Sequence, residues 1–340
     1  MPRFVFSTQE LDLVRQLLTE LKHRYNSAED DQLLAEVIVF SQELPRRLRQ
    51  FAQDFRQQEP QEGVCLVEGY PLDVKSLGKT PSHWNLRQQS PLVVLHEMYF
   101  ILLASLFGDV FGWMSQQNGY IIHDILPIKG HESEEISSCS EGGLSLHTED
   151  AFHPFRADYV GLMCLRNPGP IATTVASLDV SLLSRKQIEI LRQPFFTIRP
   201  DLSHGRFTKD DTENESPRRA GCSECSTPYS YVPERVAVLF GDSQSPYMCL
   251  DPFFMDPSEH NDAALSALRA LTESLERNTV DIYLGAGECC FIDNYRVLHG
   301  RRPFTPTYDV NERWLKRVNI TRDLRKSRAM RQAVNSRIIY

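Results

Sequence analysis

No stretch of this sequence reaches the roughly 18 uninterrupted apolar residues that a membrane-spanning helix needs. The opening residues, MPRFVFSTQELDLV, hold no apolar segment of signal-peptide length. Both absences point to a soluble protein with the cytoplasm as default compartment and no membrane partner. A basic excess is missing too: 37 Lys and Arg stand against 45 Asp and Glu, a formal net charge of -8. A phosphate-tracking surface for nucleic acid is therefore not expected, whereas a cationic small substrate is compatible. There is no internal repeat and no low-complexity tract, so nothing reads as an array or a long linker.

Cysteine is sparse and scattered. Eight in 340 residues do not form a secreted disulfide framework. Cys222 and Cys225 make a CxxC, but a structural zinc site usually has a second tight pair. The adjacent Cys289 and Cys290 are a poor one, because neighbours on a strand point to opposite faces. Oligomeric state is open at this level.

The composition itself, 41% hydrophobic and 24% charged, is that of an ordinary globular chain with a sizeable core. Residues 7–24 carry Leu11, Val14, Leu17, Leu18 and Leu21 at helical spacing, with Ser7 or Thr8 before Glu10 as a start signal. A second helical stretch spans 28–55, divided or kinked at Pro45. A short strand fits 63–69, and a third apolar helix fits 91–110. Beyond this the period changes. Strands are expected at 119–126, 159–165, 173–178, 236–240, 280–284, 289–293 and 317–321. Helices gathered at the N-terminal end and short strands thereafter imply a mainly β, α+β fold: a sandwich or barrel buttressed by helices. Two polar loops, 127–145 and 201–230, are long for a compact domain. The second is the candidate lid.

Leu146-His147-Thr148-Glu149-Asp150 follows a glycine pair. Residues i and i+2 of an extended segment share a face, so His147 and Glu149 can bind one ion together. His299, in Tyr295-Arg296-Val297-Leu298-His299-Gly300-Arg301, is the strongest candidate for a third ligand. Two histidines and one carboxylate on one face leave positions open for cosubstrate and oxygen, as in non-haem iron(II) oxygenases. Arg313, 14 residues further on, can form a bidentate pair with a carboxylate. His131 and His153 are nearby alternatives better read as structural or exposed, and His123 reads as a hydrogen-bonded core histidine. A zinc hydrolase also suits two histidines and a glutamate, and a non-catalytic jelly-roll metal-binding protein is a further reading.

Gly143–Asn167 (GLSLHTEDAFHPFRADYVGLMCLRN) and Asn294–Arg325 (NYRVLHGRRPFTPTYDVNERWLKRVNITRDLR) resemble the clavaminate-synthase-like oxygenases that hydroxylate free amino acids, in particular the L-arginine 3-hydroxylases. The resemblance runs through most of 90–327. It implies a single oxygenase domain over 1–340, with a largely helical flank to 110 and a distorted double-stranded β-helix (jelly-roll) core over 111–327. It implies Fe(II) on His147, Glu149 and His299, with 2-oxoglutarate and O2 as cosubstrates. Arg313 would take the distal carboxylate of 2-oxoglutarate, assisted by Thr174. Arg317 would hold the substrate carboxylate. Gln116, rather than its neighbour Gln117, would face the amino group together with Glu149. Asp251 would meet a cationic side chain, and Asp201 and Ser203 would sit at the base of the lid. The implied activity is hydroxylation of a basic amino acid at C3, most simply of L-arginine or an analogue. One departure bears on that substrate: arginine hydroxylases of the family carry a second aspartate two positions after the one matching Asp251, and here Phe253 stands there. L-Lysine, a cyclic guanidine such as enduracididine, and desaturation in place of hydroxylation are the alternatives.

Overall fold

The computed structural model describes residues 1–87, 90–204, 234–257 and 261–340. The expected lid segment beyond residue 204, with Cys222 and Cys225, lies outside the described residues. Among the described residues sixteen strands follow in chain order. They are β1 (Arg3–Val5), β2 (Val64–Glu68), β3 (Asp109–Trp113), β4 (Ile122–Ile125), β5 (Leu144–His147), β6 (Tyr159–Arg166), β7 (Thr173–Ser177) and β8 (Phe196–Ile198). β9 (Leu239–Phe240), β10 (Tyr247–Met248), β11 (Met255–Pro257), β12 (Val280–Ile282), β13 (Cys289–Asp293), β14 (Val297–Arg301), β15 (Trp314–Thr321) and β16 (Ile338–Ile339) complete them.

The first three helices match the sequence signals. α1 (Thr8–Arg24) starts at a capping box between Ser7 and Glu10. The 28–55 stretch divides at Pro45, which caps α3 (Arg46–Gln58) after α2 (Asp31–Ser41). α4 (Pro91–Ala104) is shorter than expected, because Asp109 already begins β3. Two later helices, α5 (Arg185–Leu191) and α6 (Asp262–Arg277), correct the expectation that helices gather at the N-terminal end. Their signal was in the sequence: Ala264, Ala267, Leu268, Leu271 and Leu275 are buried at helical spacing. The run 236–240 forms only the two residues of β9 and a bridge at Val236, while β1, β3, β5, β8, β10, β11, β14 and β16 went unforeseen. Most of these are too short to alternate visibly.

Two sheets dominate. The larger has the order β1-β2-β13-β6-β15-β3-β16, with β4 also paired to β15; the smaller has the order β12-β7-β14-β5. Long β15 spans two partners on one side, pairing Leu315–Val318 with β4 and Asn319–Thr321 with β3. A core of Val64, Leu66, Leu162, Cys164, Cys290 and Leu315 from the larger sheet packs on Val175, Ile282 and Val297 from the smaller. Helices α1 to α4 cover the other face of the larger sheet through Val67, Met163, Cys289, Phe291 and Val318. Helices α5 and α6 cover the smaller sheet through Ala176 and Leu298. Cys289 and Cys290 thus point to opposite sides of β13, as the strand pleat requires.

An ionic cluster joins the helical layer to the larger sheet. Lys316 Nζ is fully buried, 2.8 Å from Glu97 and 2.5 Å from Asp124. Arg87 pairs with Glu97 at 3.1 Å and Glu29 at 2.8 Å, and Glu29 accepts the backbone N–H groups of Ile121 and Ile122. Alternation along β15 sends Lys316 to the helices and its neighbour Arg317 between the sheets, where Leu315 also lies.

Candidate active site

His147 ends β5 and pairs directly across the ladder with His299 on β14, their rings 4.5 Å apart. The close approach depends on Gly300: a Cβ there would lie 2.4 Å from the Leu144 carbonyl oxygen. Glu149 follows two residues after His147. Asn294 grips its backbone with both ends of its amide, accepting from Glu149 N–H at 2.8 Å and donating to the Glu149 carbonyl at 3.0 Å. Ligand atoms of His147, Glu149 and His299 all lie within 4.8 Å of one another.

The side chains are poised rather than satisfied. Glu149 Oε2 lies 3.2 Å from His299 Nε2 and 3.7 Å from His147 Nε2, yet has no well-aligned hydrogen-bond partner among the described residues. His147 Nδ1 donates to the Ser145 carbonyl at 2.8 Å, which turns Nε2 to the centre. Burial opposes charge on Glu149, but the Arg317 guanidinium and the two imidazoles hold its carboxyl well below the usual range. Burial also opposes charge on His147, yet Glu149 and Asp251 raise it to about 9. His299 falls to about 4, through burial and the charge on His147. A buried carboxylate oxygen without a hydrogen-bond partner, faced by two imidazole nitrogens, fits a divalent metal of the two-histidine, one-carboxylate type. Among the described residues one other group could hold an ion, Asp150 with Asp201 and His204. Asp150 is already engaged there by Trp113, Asn319 and His204.

The triad opens into a solvent-connected cavity between the sheets, with about 760 Å³ of empty space including its open mouth. At one wall stand Arg313 and Arg301 with Thr173. Arg313 is 3% exposed, and its side chain has no hydrogen-bond or ion-pair partner among the described residues. Burial and the neighbouring Arg301 push its guanidinium down to about 9. A buried cation in that state calls for an anionic ligand. Thr174, expected beside it, does not line the cavity. β7 turns Thr173 inward with Val175 and Thr174 to the other face, a one-residue slip that inverts the side.

Arg317 pairs through Nη1 with Glu149, and its Nη2 donates to Gln116 Oε1 at 3.3 Å and to His123 Nδ1 at 2.9 Å. His123 is thus the core histidine expected, its Nε2 held by the Tyr120 carbonyl at 2.9 Å. Gln116 donates to Ser203 Oγ at 2.7 Å, whereas Gln117 is spent on the backbone of Asp124. Asp201, Ser203 and Asp251 line the cavity with Phe254. Burial raises the Asp251 carboxyl to about 6, despite His147 nearby. His153 sits under Trp113, its Nδ1 accepting from Phe155 N–H, and His131 bonds Ser138; neither joins the triad.

Residues not foreseen are Glu135 and Ser137 from the 127–145 loop, Arg301, and the clamp Asn294. Arg301 and Asn294 lie inside the second quoted block, so position beside the triad was a signal for them. Glu135 had none, because a polar loop gives no period from which to read direction.

The TauD/TfdA taurine catabolism dioxygenase family model matches residues 183–319. An L-ornithine/L-arginine 3-hydroxylase of Catenulispora acidiphila is 42% identical over 346 residues, covering 100% of both chains. An enduracididine β-hydroxylase of Streptomyces hygroscopicus is 40% identical over 324 residues, covering 94% of each. The non-haem iron oxygenase OrfP, solved with Fe, succinate and (3S)-hydroxy-L-Arg, superimposes with a TM-score of 0.90 at 34% identity, covering 100% of both chains. With this identity across its whole length, the chain belongs to the clavaminate-synthase-like family of non-haem iron oxygenases.

Proposed function

We propose that this protein is an Fe(II)- and 2-oxoglutarate-dependent hydroxylase of a free basic L-amino acid. L-Arginine or a close analogue is the substrate, C3 is the position, and succinate and CO2 are the other products. One observation carries the reading: a single cavity is lined by the metal triad, by a buried guanidinium and by carboxylates that have no ion-pair partner among the described residues. The relatives' named substrates, L-ornithine, L-arginine and enduracididine, are all cationic.

His147, Glu149 and His299 would hold the iron. Bound there, it would supply the oxidative chemistry, with 2-oxoglutarate and O2 as cosubstrates, that an unactivated carbon requires. The protein supplies placement and exclusion of water. Arg313 grips the distal carboxylate of 2-oxoglutarate with its planar fork, beside Thr173. Arg317 takes the substrate carboxylate. Gln116 and Glu149, already in contact with Arg317, receive the amino group. Ser203 fixes Gln116, Asp201 stands beside it, and Asp251 receives the side-chain cation. The two facing sheets are the halves of a distorted double-stranded β-helix, and the whole chain is one oxygenase domain.

Incubation with Fe(II), ascorbate, 2-oxoglutarate and an amino-acid panel tests the reading. Succinate should form with a basic amino acid, which gains one oxygen by mass spectrometry. His147→Ala should abolish both. Unchanged turnover in that variant, or no 2-oxoglutarate consumed with any basic amino acid, would sink the proposal.

A further inference from the structure

Arg317 is neutralised by Glu149, and Arg301 and Arg313 face the cavity without a carboxylate partner among the described residues. Three carboxylates on the walls, Glu135, Asp201 and Asp251, likewise make no ion pair with any described residue. Their hydrogen bonds are to backbone groups: Glu135 accepts from Ser145 N–H, Asp201 from Ser203 N–H and Asp251 from Phe254 N–H. Carboxylates gathered at an enclosed wall repel one another unless a cation bridges them.

Their positions distinguish them. Asp201 is tied to the Gln116 side, since Ser203 holds Gln116 and His204 lies in the same cluster. Glu135 and Asp251 are both tied to the strand that carries His147. Ser145, whose N–H is bound by Glu135, offers its carbonyl to His147 Nδ1, and Leu250, beside Asp251, exchanges hydrogen bonds with Thr148, beside His147. Phe253 is 57% exposed, packs edge-on against Phe254 and is not part of the cavity wall. A second carboxylate for the substrate therefore has to come from another segment.

We infer that Glu135, on the loop between β4 and β5, is that second carboxylate and forms with Asp251 the subsite for the substrate's guanidinium or ammonium group. One oxygen of Glu135 fixes the carboxylate to β5, and the charge faces the cavity. A guanidinium presents donors on two edges and suits carboxylates from two segments. The inference rests on the functional reading above and adds a specificity-determining residue to it.

The test is binding without turnover: protein loaded with Fe(II) and 2-oxoglutarate under anaerobic conditions, titrated with L-arginine, L-ornithine and the neutral isostere L-citrulline. Glu135→Gln keeps the acceptor for Ser145 N–H and removes only the charge. Affinity for L-arginine should fall about tenfold or more, the range of a lost charge-assisted hydrogen bond. Affinity for L-citrulline should change by less than about twofold, since its urea gains no charge pairing. Glu135→Gln combined with Asp251→Asn should lose the preference for L-arginine over L-citrulline altogether. An unchanged arginine-to-citrulline ratio in Glu135→Gln overturns the assignment, even if both affinities fall together through a shifted β5. Failure of the unaltered protein to bind L-arginine and L-ornithine would instead strike the functional reading itself.

Discussion

His204 Nε2 lies 2.9 Å from Asp150 Oδ1, their side chains 6% and 0% exposed. Asp150 directly follows the metal ligand Glu149, and it also accepts from Trp113 Nε1 and Asn319 Nδ2. The far nitrogen of His204 meets Ser115 Oγ at 2.7 Å. One imidazole therefore ties segment 201–204, which carries Asp201 and Ser203, to the ligand-bearing loop.

Replacing His204 by Ala should loosen Ser203 from Gln116. We expect KM for the amino acid to rise roughly tenfold, the cost of a buried charge-assisted bond, with 2-oxoglutarate KM little changed. Steady-state kinetics with each substrate varied separately checks this. A rise in both constants would mean that the pair supports the metal loop instead.

Arg313→Ala should raise KM for 2-oxoglutarate by about two orders of magnitude, because truncating a buried charge partner costs roughly 2–5 kcal/mol. Arg313→Lys keeps the charge and loses the fork, so it should recover only part. Thr173→Val should weaken 2-oxoglutarate measurably, and Thr174→Val should not. The reverse order in the threonine pair would contradict the face assignment on β7.

Asp293, at the end of β13, provides a pH test of stability. Burial raises its carboxyl to about 7, so the folded protein favours the neutral acid. Its stabilising contribution is complete below the unfolded value near 4 and is lost as pH rises through 7. Asp293→Asn keeps an acceptor for Tyr295 N–H and cannot ionise. Its Tm should therefore fall less than that of the parent between pH 4 and 8, by an amount worth up to about 4 kcal/mol. Parallel curves for the two proteins over that range would refute this.

Lys316→Ala should destabilise the fold by roughly 3–5 kcal/mol, because Asp124 would be left as a buried charge without an ion-pair partner and Glu97 would keep only Arg87. Lys316→Met with Glu97→Gln and Asp124→Asn should recover much of the loss. Urea unfolding of the set measures it.

The sequence by itself determined the metal triad, because His147 and Glu149 are close in sequence on an extended segment and His299 lies in a specific block. It determined α1 and the break at Pro45, where capping and ring chemistry are local. The family resemblance singled out Arg313, Arg317 and Asp251, which line the cavity of the triad, and Gln116, which contacts Arg317. Which threonine faces inward was a matter of strand register, and register is fixed by pairing with β14, not by composition. Helix α6 is encoded in its own apolar spacing, although it lies among short strands. The company kept by Asp251 was decided only in three dimensions. Glu135 stands 116 residues earlier, on a loop without periodicity, and reaches the same cavity because β5 is paired to β14. Long-range charge neighbours come from chain closure, which no local pattern encodes.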